Sequence, residues 1–107
     1  MRYTKKDLRE LFNRSVLVRD AYKCRICGSK ESLVVHHITD RHEMPYGGYA
    51  SENGIAVCPS CHIKCEKYHI TDGKEWEEGL HPFDLYVMIG SSYDEAFEKS
   101  IKLGEAE

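Results

Sequence analysis

The chain has 107 residues, of which 41% are hydrophobic and 31% charged, and its formal net charge is −3 at pH 7. This length accommodates one modest hydrophobic core. The sequence contains no apolar run long enough to cross a membrane, no repeat and no low-complexity tract. It opens MRYTKKDLRE, without an apolar targeting segment, and we therefore expect a cytoplasmic location.

A helix is the first predicted element. Thr4 is a suitable N-cap residue, and Asp7 follows in what would be the first turn. Apolar side chains then recur at helical spacing, namely Leu8, Leu11, Phe12 and Val16. We predict an amphipathic helix from Lys5 to about Asp20.

Basic residues are concentrated in the first part of the chain. Residues 1–67 carry 12 Lys and Arg against 8 Asp and Glu, whereas residues 68–107 carry 3 against 10. The acidic total argues against nucleic-acid binding, but this asymmetry leaves a basic region that suits phosphates. The candidate phosphate-binding residues are Arg2, Lys5, Lys6, Arg9, Arg14, Arg19, Lys23, Arg25, Lys30 and Arg41. For about half of them, an ordinary solvated helix face is the alternative explanation.

Two cysteine pairs of identical spacing predict a zinc site. Cys24 and Cys27 form the first CxxC pair, and Cys58 and Cys61 form the second after 30 intervening residues. Four thiolates suit Zn²⁺ in tetrahedral geometry, and Gly28 suits the tight turn behind the first pair. The alternative is two disulfides in a secreted domain. The opening of the chain, which has no apolar segment suited to a signal peptide, argues against this alternative. A four-thiolate site has no vacant position, so we expect a structural zinc.

Three histidines and an asparagine lie between and beside these pairs. The apolar run Leu33–Val35 predicts a strand that continues into His36 and His37, whose side chains should point to opposite faces. Asn53 lies further along the chain, and His62 directly follows the last cysteine of the cage. Any one histidine alone is better explained as an ordinary polar residue, but the group together indicates a functional site.

The elements that carry these residues are short. Asn53-Gly54 predicts a turn into a strand from Ile55 to Val57, and a helix is predicted from Pro59 to Tyr68. The loop between the strands is flexible by composition because it contains Pro45, Gly47 and Gly48.

The segments RDAYKCRICG, LVVHHI, ENGIAVCPSCH and IKCEK, from about Val18 to Tyr68, resemble the HNH endonuclease family. The resemblance implies an α+β fold, in which a small zinc-stabilised ββα-metal (HNH, His-Me finger) core is flanked by N- and C-terminal helices. We expect residues 1–69 to form the nuclease core with its N-terminal helix. Residues 70–107 would be an acidic helical extension packed on the same domain.

The resemblance also implies roles for the site residues. His36 and His62 would bind a catalytic divalent ion, His37 would be the general base, and Asn53 would tie down the loop between the strands. Cys24, Cys27, Cys58 and Cys61 would hold the structural zinc. The implied activity is hydrolysis of DNA phosphodiester bonds by a one-metal mechanism, with Arg41 near the scissile phosphate.

The chain departs from the family pattern at Glu66. Many family members have a further histidine one helical turn beyond the last one, whereas this chain has a carboxylate. Glu66 would be a weaker ligand that favours Mg²⁺ or Mn²⁺, with Ni²⁺ possible, or else a solvated residue paired with a lysine.

A second function remains open from the sequence. The chain would then be a noncatalytic zinc module that binds nucleic acid or protein and keeps its histidines for structure. For either function the expected partner is nucleic acid, with DNA preferred, and no membrane. By analogy, the C-terminal region would contact larger phage, restriction or mobile-element machinery.

The C-terminal part is predicted to be helical. One helix would run from Pro82 to Ile89 and end at Gly90, and a second from Tyr93 to about Leu103 would be capped by Ser91 or Ser92. Its apolar residues either pack on the core or bind a partner, and packing is favoured for Leu80, Phe83, Leu85, Val87, Met88, Phe97 and Ile101.

Four other residues, one cysteine and three histidines, could bind metal but fall outside the motif. Cys65 is expected to be a free cysteine packed on the inner face of its helix, with a spare ligand or a redox-sensitive thiol as alternatives. His42, His69 and His81 are expected to be surface or capping residues, although His42 lies in the loop that would face substrate.

Overall fold

The computed structural model describes residues 3–104. Arg2, a member of the predicted basic set, lies outside this range, as do the extreme ends of the two predicted segments 1–69 and 70–107. Four α-helices and one two-stranded antiparallel sheet occupy the described part of the chain. Their bounds are α1 Lys5–Arg19, β1 Val34–His37, β2 Gly54–Val57, α2 Pro59–Ile70, α3 Pro82–Met88 and α4 Tyr93–Leu103. Among these helices, none has the length and apolar character that crossing a membrane requires.

Helix α1 begins where the sequence predicts. The hydroxyl of Thr4 accepts a hydrogen bond from the backbone N–H of Asp7 at 3.1 Å, and the Asp7 carboxylate accepts one from the Thr4 N–H at 3.0 Å. Phe12 and Val16 are buried against the start of β2. A Cβ atom at Gly54 would lie 2.6 Å from the Phe12 ring, so only glycine allows this close packing of helix on strand.

The two strands and α2 form the ββα unit. β1 pairs antiparallel with β2, which places His36 opposite Ile55 and His37 opposite Gly54. His36 is 1% exposed, whereas His37 is half-buried on the other face of the strand. The predicted α+β fold, with helices on both sides of this unit in the chain, is confirmed.

The loop that joins the strands is built from short 3₁₀ turns. These turns span Arg41–Glu43, Pro45–Gly48 and Ser51–Asn53. Within the second turn, Tyr46 and Gly47 have left-handed backbone angles, with φ of +52° and +76°. Gly48 and Tyr49 are buried, so the loop packs closely on the rest of the protein.

The two C-terminal helices begin at the predicted caps. His81 caps α3 through a hydrogen bond from the Phe83 N–H to its Nδ1 at 3.0 Å, and Ser92 caps α4. Four hydrophobic residues of this region are buried in the main core, namely Leu80, Leu85, Tyr86 and Ala96. The predicted packing is wrong for Phe83, Val87 and Ile101, which are 69%, 62% and 44% exposed.

Two members of the predicted basic set serve the fold. Asp20 has a fully buried carboxylate, and Arg19 and Arg25 donate hydrogen bonds to its Oδ1 at 2.8 and 2.9 Å. Their guanidinium groups also donate to backbone carbonyls, those of Ser51, Gly54 and Met88. The guanidinium groups of Arg19 and Arg25 are therefore engaged within the protein, which weakens the expectation that these two residues bind phosphate.

Candidate active site and metal centres

The four cysteines of the two CxxC pairs come together as a possible zinc site. Their Sγ atoms all lie within 4.8 Å of one another, and those of Cys27 and Cys58 are 3.6 Å apart. A tetrahedral zinc with bonds of about 2.3 Å needs sulfur separations of about 3.8 Å, so the arrangement fits the ion. The same separation is far too long for a disulfide, and the cysteines are free.

Backbone hydrogen bonds shape the first cysteine turn. The Cys27 N–H points at the Cys24 Sγ at 3.5 Å, and the Gly28 N–H donates to the Cys24 carbonyl at 2.9 Å. Gly28 has a φ of +81°, which glycine adopts at little cost. The second pair lies at the junction of β2 and α2, where Cys58 is the N-cap of the helix. A zinc ion here would fix the start of α2 and, with it, His62.

A second cluster of ligand types forms between β1 and α2. Nδ1 of His36 and Nε2 of His62 each lie 3.1 Å from the same Glu66 oxygen, Oε1. An octahedral ion with bonds of about 2.1 Å has neighbouring ligands about 3.0 Å apart, so these three donors fit a small divalent cation. The alternative for Glu66, pairing with a lysine, is wrong within the described residues because its carboxylate instead bonds to the two histidines.

Electrostatics hold Glu66 in its charged form. The hydrogen bond with His36 lowers the pKa of Glu66 to about 2, although burial acts in the opposite direction. Burial lowers the pKa of His36 from its ordinary value, and the Glu66 carboxylate partly offsets that effect. At neutral pH the Glu66 carboxylate therefore faces a neutral His36 imidazole, which is the protonation state that metal binding requires.

His37 lies on the opposite face of β1 in an aromatic setting. Its ring centroid is 4.8 Å from that of Phe12 and 5.3 Å from that of Tyr49. Burial, followed by the neighbouring His36 and Arg41, lowers the pKa of His37 to about 4. Its Nε2 is buried without a hydrogen-bond partner among residues 3–104. His37 is thus a neutral imidazole at pH 7.

Asn53 ties the two ends of the interstrand loop together. Its side-chain amide donates to the carbonyls of Thr39 at 3.0 Å and Gly48 at 3.3 Å. Its Oδ1 accepts from the Thr39 N–H at 2.9 Å and from the Tyr86 hydroxyl at 2.7 Å. Asn53 is fully buried and makes no contact with the His36 cluster among these bonds, so its part in the site is to shape the loop.

His69 joins the site, contrary to its expected place at the surface. Its Nε2 lies 3.1 Å from the His37 carbonyl oxygen, and its ring centroid is 5.3 Å from that of His36. The sequence does contain a signal for this position. His62, Glu66 and His69 are spaced four and three residues apart, which places them on one face of α2. Tyr86, which bonds to Asn53, lies on α3 and has no comparable signal.

The other candidates occupy varied positions. Arg41 is exposed in the first 3₁₀ turn of the interstrand loop, and His42 beside it is also exposed, as expected. His81 has its expected capping role. Cys65 is 1% exposed on the inner face of α2, where burial raises the pKa of its thiol to about 12, so it is a packed, unreactive cysteine.

One comparison with known proteins finds a match within the chain. The family model described as HNH endonuclease matches residues 24–67. This span includes both cysteine pairs and the cluster of His36, His62 and Glu66. No curated protein and no solved structure matches the chain.

Proposed function

We propose that the protein is a metal-dependent endonuclease that hydrolyses DNA phosphodiester bonds, because its residues 24–67 match the family model described as HNH endonuclease. The observation that carries this proposal is the three-donor cluster of His36, His62 and Glu66 next to the neutral imidazole of His37. A protein that only needed a zinc cage for its fold would not require this second set of ligands.

In the proposed mechanism, His37 is the general base. It is uncharged at neutral pH, so it accepts a proton from the water that attacks the phosphate. The rings of Phe12 and Tyr49 restrict the orientation of His37. Nε2 of His69 lies within hydrogen-bonding distance of the His37 carbonyl oxygen. Asn53 acts indirectly, through the interstrand loop that its side-chain hydrogen bonds close.

The donor set indicates which ion the site would hold. His36 and His62 supply imidazole nitrogen, and Glu66 supplies the hard oxygen that favours Mg²⁺ or Mn²⁺. Ni²⁺ is a further candidate because imidazole binds it well. When bound, such an ion stabilises the negative charge that develops on the phosphate and on the leaving 3′ oxygen.

Arg41 and the C-terminal segment would contact the substrate and other partners. Arg41 is exposed in the interstrand loop, and its charge contributes to the lowered pKa of His37, so we assign it to a substrate phosphate. The acidic segment 70–107 would form one domain with the core 1–69 and would keep nucleic acid on the basic side. Its exposed Phe83 and Val87 would serve contact with larger machinery.

Plasmid cleavage tests the proposed activity. Zinc-loaded protein is incubated with supercoiled plasmid in the presence of Mg²⁺, Mn²⁺, Ni²⁺ or a chelator. We expect cutting with at least one ion, and we expect His37→Ala to lose about 100-fold to 10,000-fold in rate because the general base is removed. His37→Ala should retain Mn²⁺ binding, measured by electron paramagnetic resonance, whereas Glu66→Ala should lose it.

His81→Asn is the matched control. It removes another histidine but keeps an N-cap acceptor for α3, so its cleavage rate should equal that of the wild type. Full activity of His37→Ala would contradict the assignment of the base. Absence of cutting with every ion, combined with intact zinc binding and nucleic-acid binding, would instead favour the noncatalytic zinc module.

A further inference from the structure

A groove of about 510 Å³ lies between α1 and the interstrand loop, and we call it the tyrosine groove. Helix α1 and the residue before its cap contribute Tyr3, Lys5 and Arg9, and the loop contributes Arg41, Tyr46 and Tyr49. Tyr3, Lys5 and Arg9 lie outside residues 24–67, which match the family model, whereas Arg41, Tyr46 and Tyr49 lie within them. The groove is therefore formed jointly by the matched segment and by residues that precede it.

The tyrosine groove adjoins His37. Tyr49, which lines the groove, is 9% exposed, and its ring centroid lies 5.3 Å from that of His37 in an edge-to-face arrangement. The same ring packs against Phe12 of α1 at 5.7 Å, which fixes it between the helix and β1. A strand that follows the groove would thus arrive at the face of β1 that carries His37.

The charge of the groove suits phosphates. Lys5, Arg9 and Arg41 are all exposed, and none of them forms an ion pair within residues 3–104. The other side of the loop has the opposite character, since a cavity of about 370 Å³ there is lined by Asp40, Glu43 and Asp72. A polyanion would consequently enter on the tyrosine side of the loop.

Two tyrosines of the groove offer their rings to solvent. Tyr3 is 44% exposed and Tyr46 is 59% exposed. Tyr46 keeps a left-handed backbone, with φ of +52°, which is unusual for a bulky residue and costs conformational energy. Its ring packs over Gly104 at the end of α4, where a side chain would collide with it. The fold thus holds an exposed aromatic ring in a fixed position beside three cations.

We propose that the tyrosine groove binds an unpaired nucleic-acid strand and leads it to His37. Lys5, Arg9 and Arg41 bind successive phosphates, and Tyr46 and Tyr3 stack on bases. Aromatic stacking requires a base whose face is accessible, which a strand within a duplex does not offer. The inference deepens the proposed nuclease function, on which it rests, by naming a single-stranded segment as the form of substrate that the site receives.

Fluorescence anisotropy without catalytic ions separates binding from cleavage. Zinc-loaded protein is titrated into a labelled single strand of about 12 nucleotides and into a duplex of the same sequence. Tyr46→Leu should weaken single-strand binding by about 5-fold or more, since stacking on one base is lost, and should leave duplex binding unchanged. Tyr46→Phe, which keeps the ring, should bind as the wild type does.

Matched controls address the fold and the charges. Tyr93→Leu alters another exposed tyrosine outside the groove and should leave single-strand binding unchanged. Tyr3→Leu gives a second stacking variant at a position without the left-handed backbone. Arg9→Ala should reduce the slope of log K against log salt by about 0.7, the value for one phosphate contact on a single strand. Lys99→Ala, which removes an exposed cation of α4 outside the groove, should leave the slope unchanged.

Equal single-strand binding by Tyr46→Leu, Tyr3→Leu and Tyr93→Leu would overturn the inference, as would an equal loss of single-strand and duplex binding. Failure of the nuclease function has a different signature. In that case the wild type would show the stacking-dependent binding but would cleave neither the plasmid nor the single strand with any ion. Cleavage together with insensitive Tyr46 and Tyr3 variants would retain the nuclease and reject the groove.

Discussion

Asp20 is the buried charge on which the packing of α1 against the sheet depends. Its Oδ2 accepts a hydrogen bond from the Ala56 N–H at 2.9 Å, in addition to bonds from Arg19 and Arg25. Burial raises the pKa of this carboxyl group, but the bonds from Arg19 and Ala56 outweigh that effect and lower it below 3.8. A buried carboxylate with this many donors is costly to replace, since each donor would lose its acceptor.

We expect Asp20→Asn to lower the free energy of unfolding by about 3 kcal/mol near pH 7. Because the folded-state pKa is below the unfolded value, the ionised carboxylate stabilises the protein fully above the unfolded pKa near 3.8. This stabilisation is lost as the pH falls through the lower folded-state pKa. The gap between wild type and variant should therefore stay constant from neutral pH to about pH 5 and close at lower pH.

Urea unfolding followed by circular dichroism at a series of pH values measures this gap. Acid also displaces zinc from thiolates in both proteins, so the difference between them is the relevant quantity. Asp72→Asn is the control, because Asp72 is exposed and has a left-handed backbone that asparagine readily adopts. A gap that did not change between pH 7 and pH 3 would rule out the charge of Asp20 as its source.

Helix α3 and the interstrand loop are joined through one phenol. The Tyr86 hydroxyl lies 2.6 Å from the Thr39 hydroxyl and donates to Asn53 Oδ1 at 2.7 Å. Burial raises the pKa of Tyr86 to about 12, so this phenol remains protonated at neutral pH. A helix beyond residues 24–67 thereby steadies the loop that follows the two histidines of β1.

Removing that hydroxyl should loosen the loop. Tyr86→Phe keeps the ring but leaves the buried Asn53 oxygen with a single donor, and we expect a loss of about 1–2 kcal/mol in the free energy of unfolding. Hydrogen exchange at the Thr39 amide should accelerate, because that amide bonds to the same oxygen. Tyr93→Phe, which removes the hydroxyl of an exposed tyrosine, should change neither quantity. Unaltered exchange at Thr39 in Tyr86→Phe would show that the loop does not need α3.

The cysteine cage lies within the main core of the protein. Cys24, Cys58 and Cys61 are each at most 5% exposed and pack with apolar side chains from β2, α3 and α4, namely Ile55, Val57, Leu85 and Ala96. A chain of 107 residues buries a limited apolar area. We therefore expect one zinc per chain to be required for cooperative folding of the C-terminal helices as well as of the cage.

Zinc removal tests this requirement. Treatment with a strong chelator, or the substitution Cys58→Ser, should abolish the cooperative thermal transition seen by circular dichroism and reduce bound zinc to zero. Cys65→Ala is the matched control, because Cys65 is equally buried on α2 but lies outside the cage. It should keep one zinc and shift the midpoint by only a few degrees. A zinc-free protein with an unchanged transition would refute a structural role for the ion.

Most of the local structure could be predicted from short stretches of sequence. The capping pair Thr4 and Asp7, and the cap Ser92, determine where α1 and α4 begin, because their hydrogen bonds span only three residues. The cysteine pairs likewise identify a zinc site through their spacing. The roles of Arg19 and Tyr86 could not be predicted in this way, because each bonds to a residue more than 30 positions away.

The sequence by itself determined the ligand types, the helix starts and the resemblance of residues 24–67 to the HNH endonuclease family, since these depend on residue identity at close spacing. The three-dimensional packing decided which charged groups are free. It uses Arg19 and Arg25 to neutralise Asp20, and it leaves Lys5, Arg9 and Arg41 exposed beside tyrosine rings. Nothing in the order of residues distinguishes these arginines, because a guanidinium group is bound or available according to what the folded chain places opposite it.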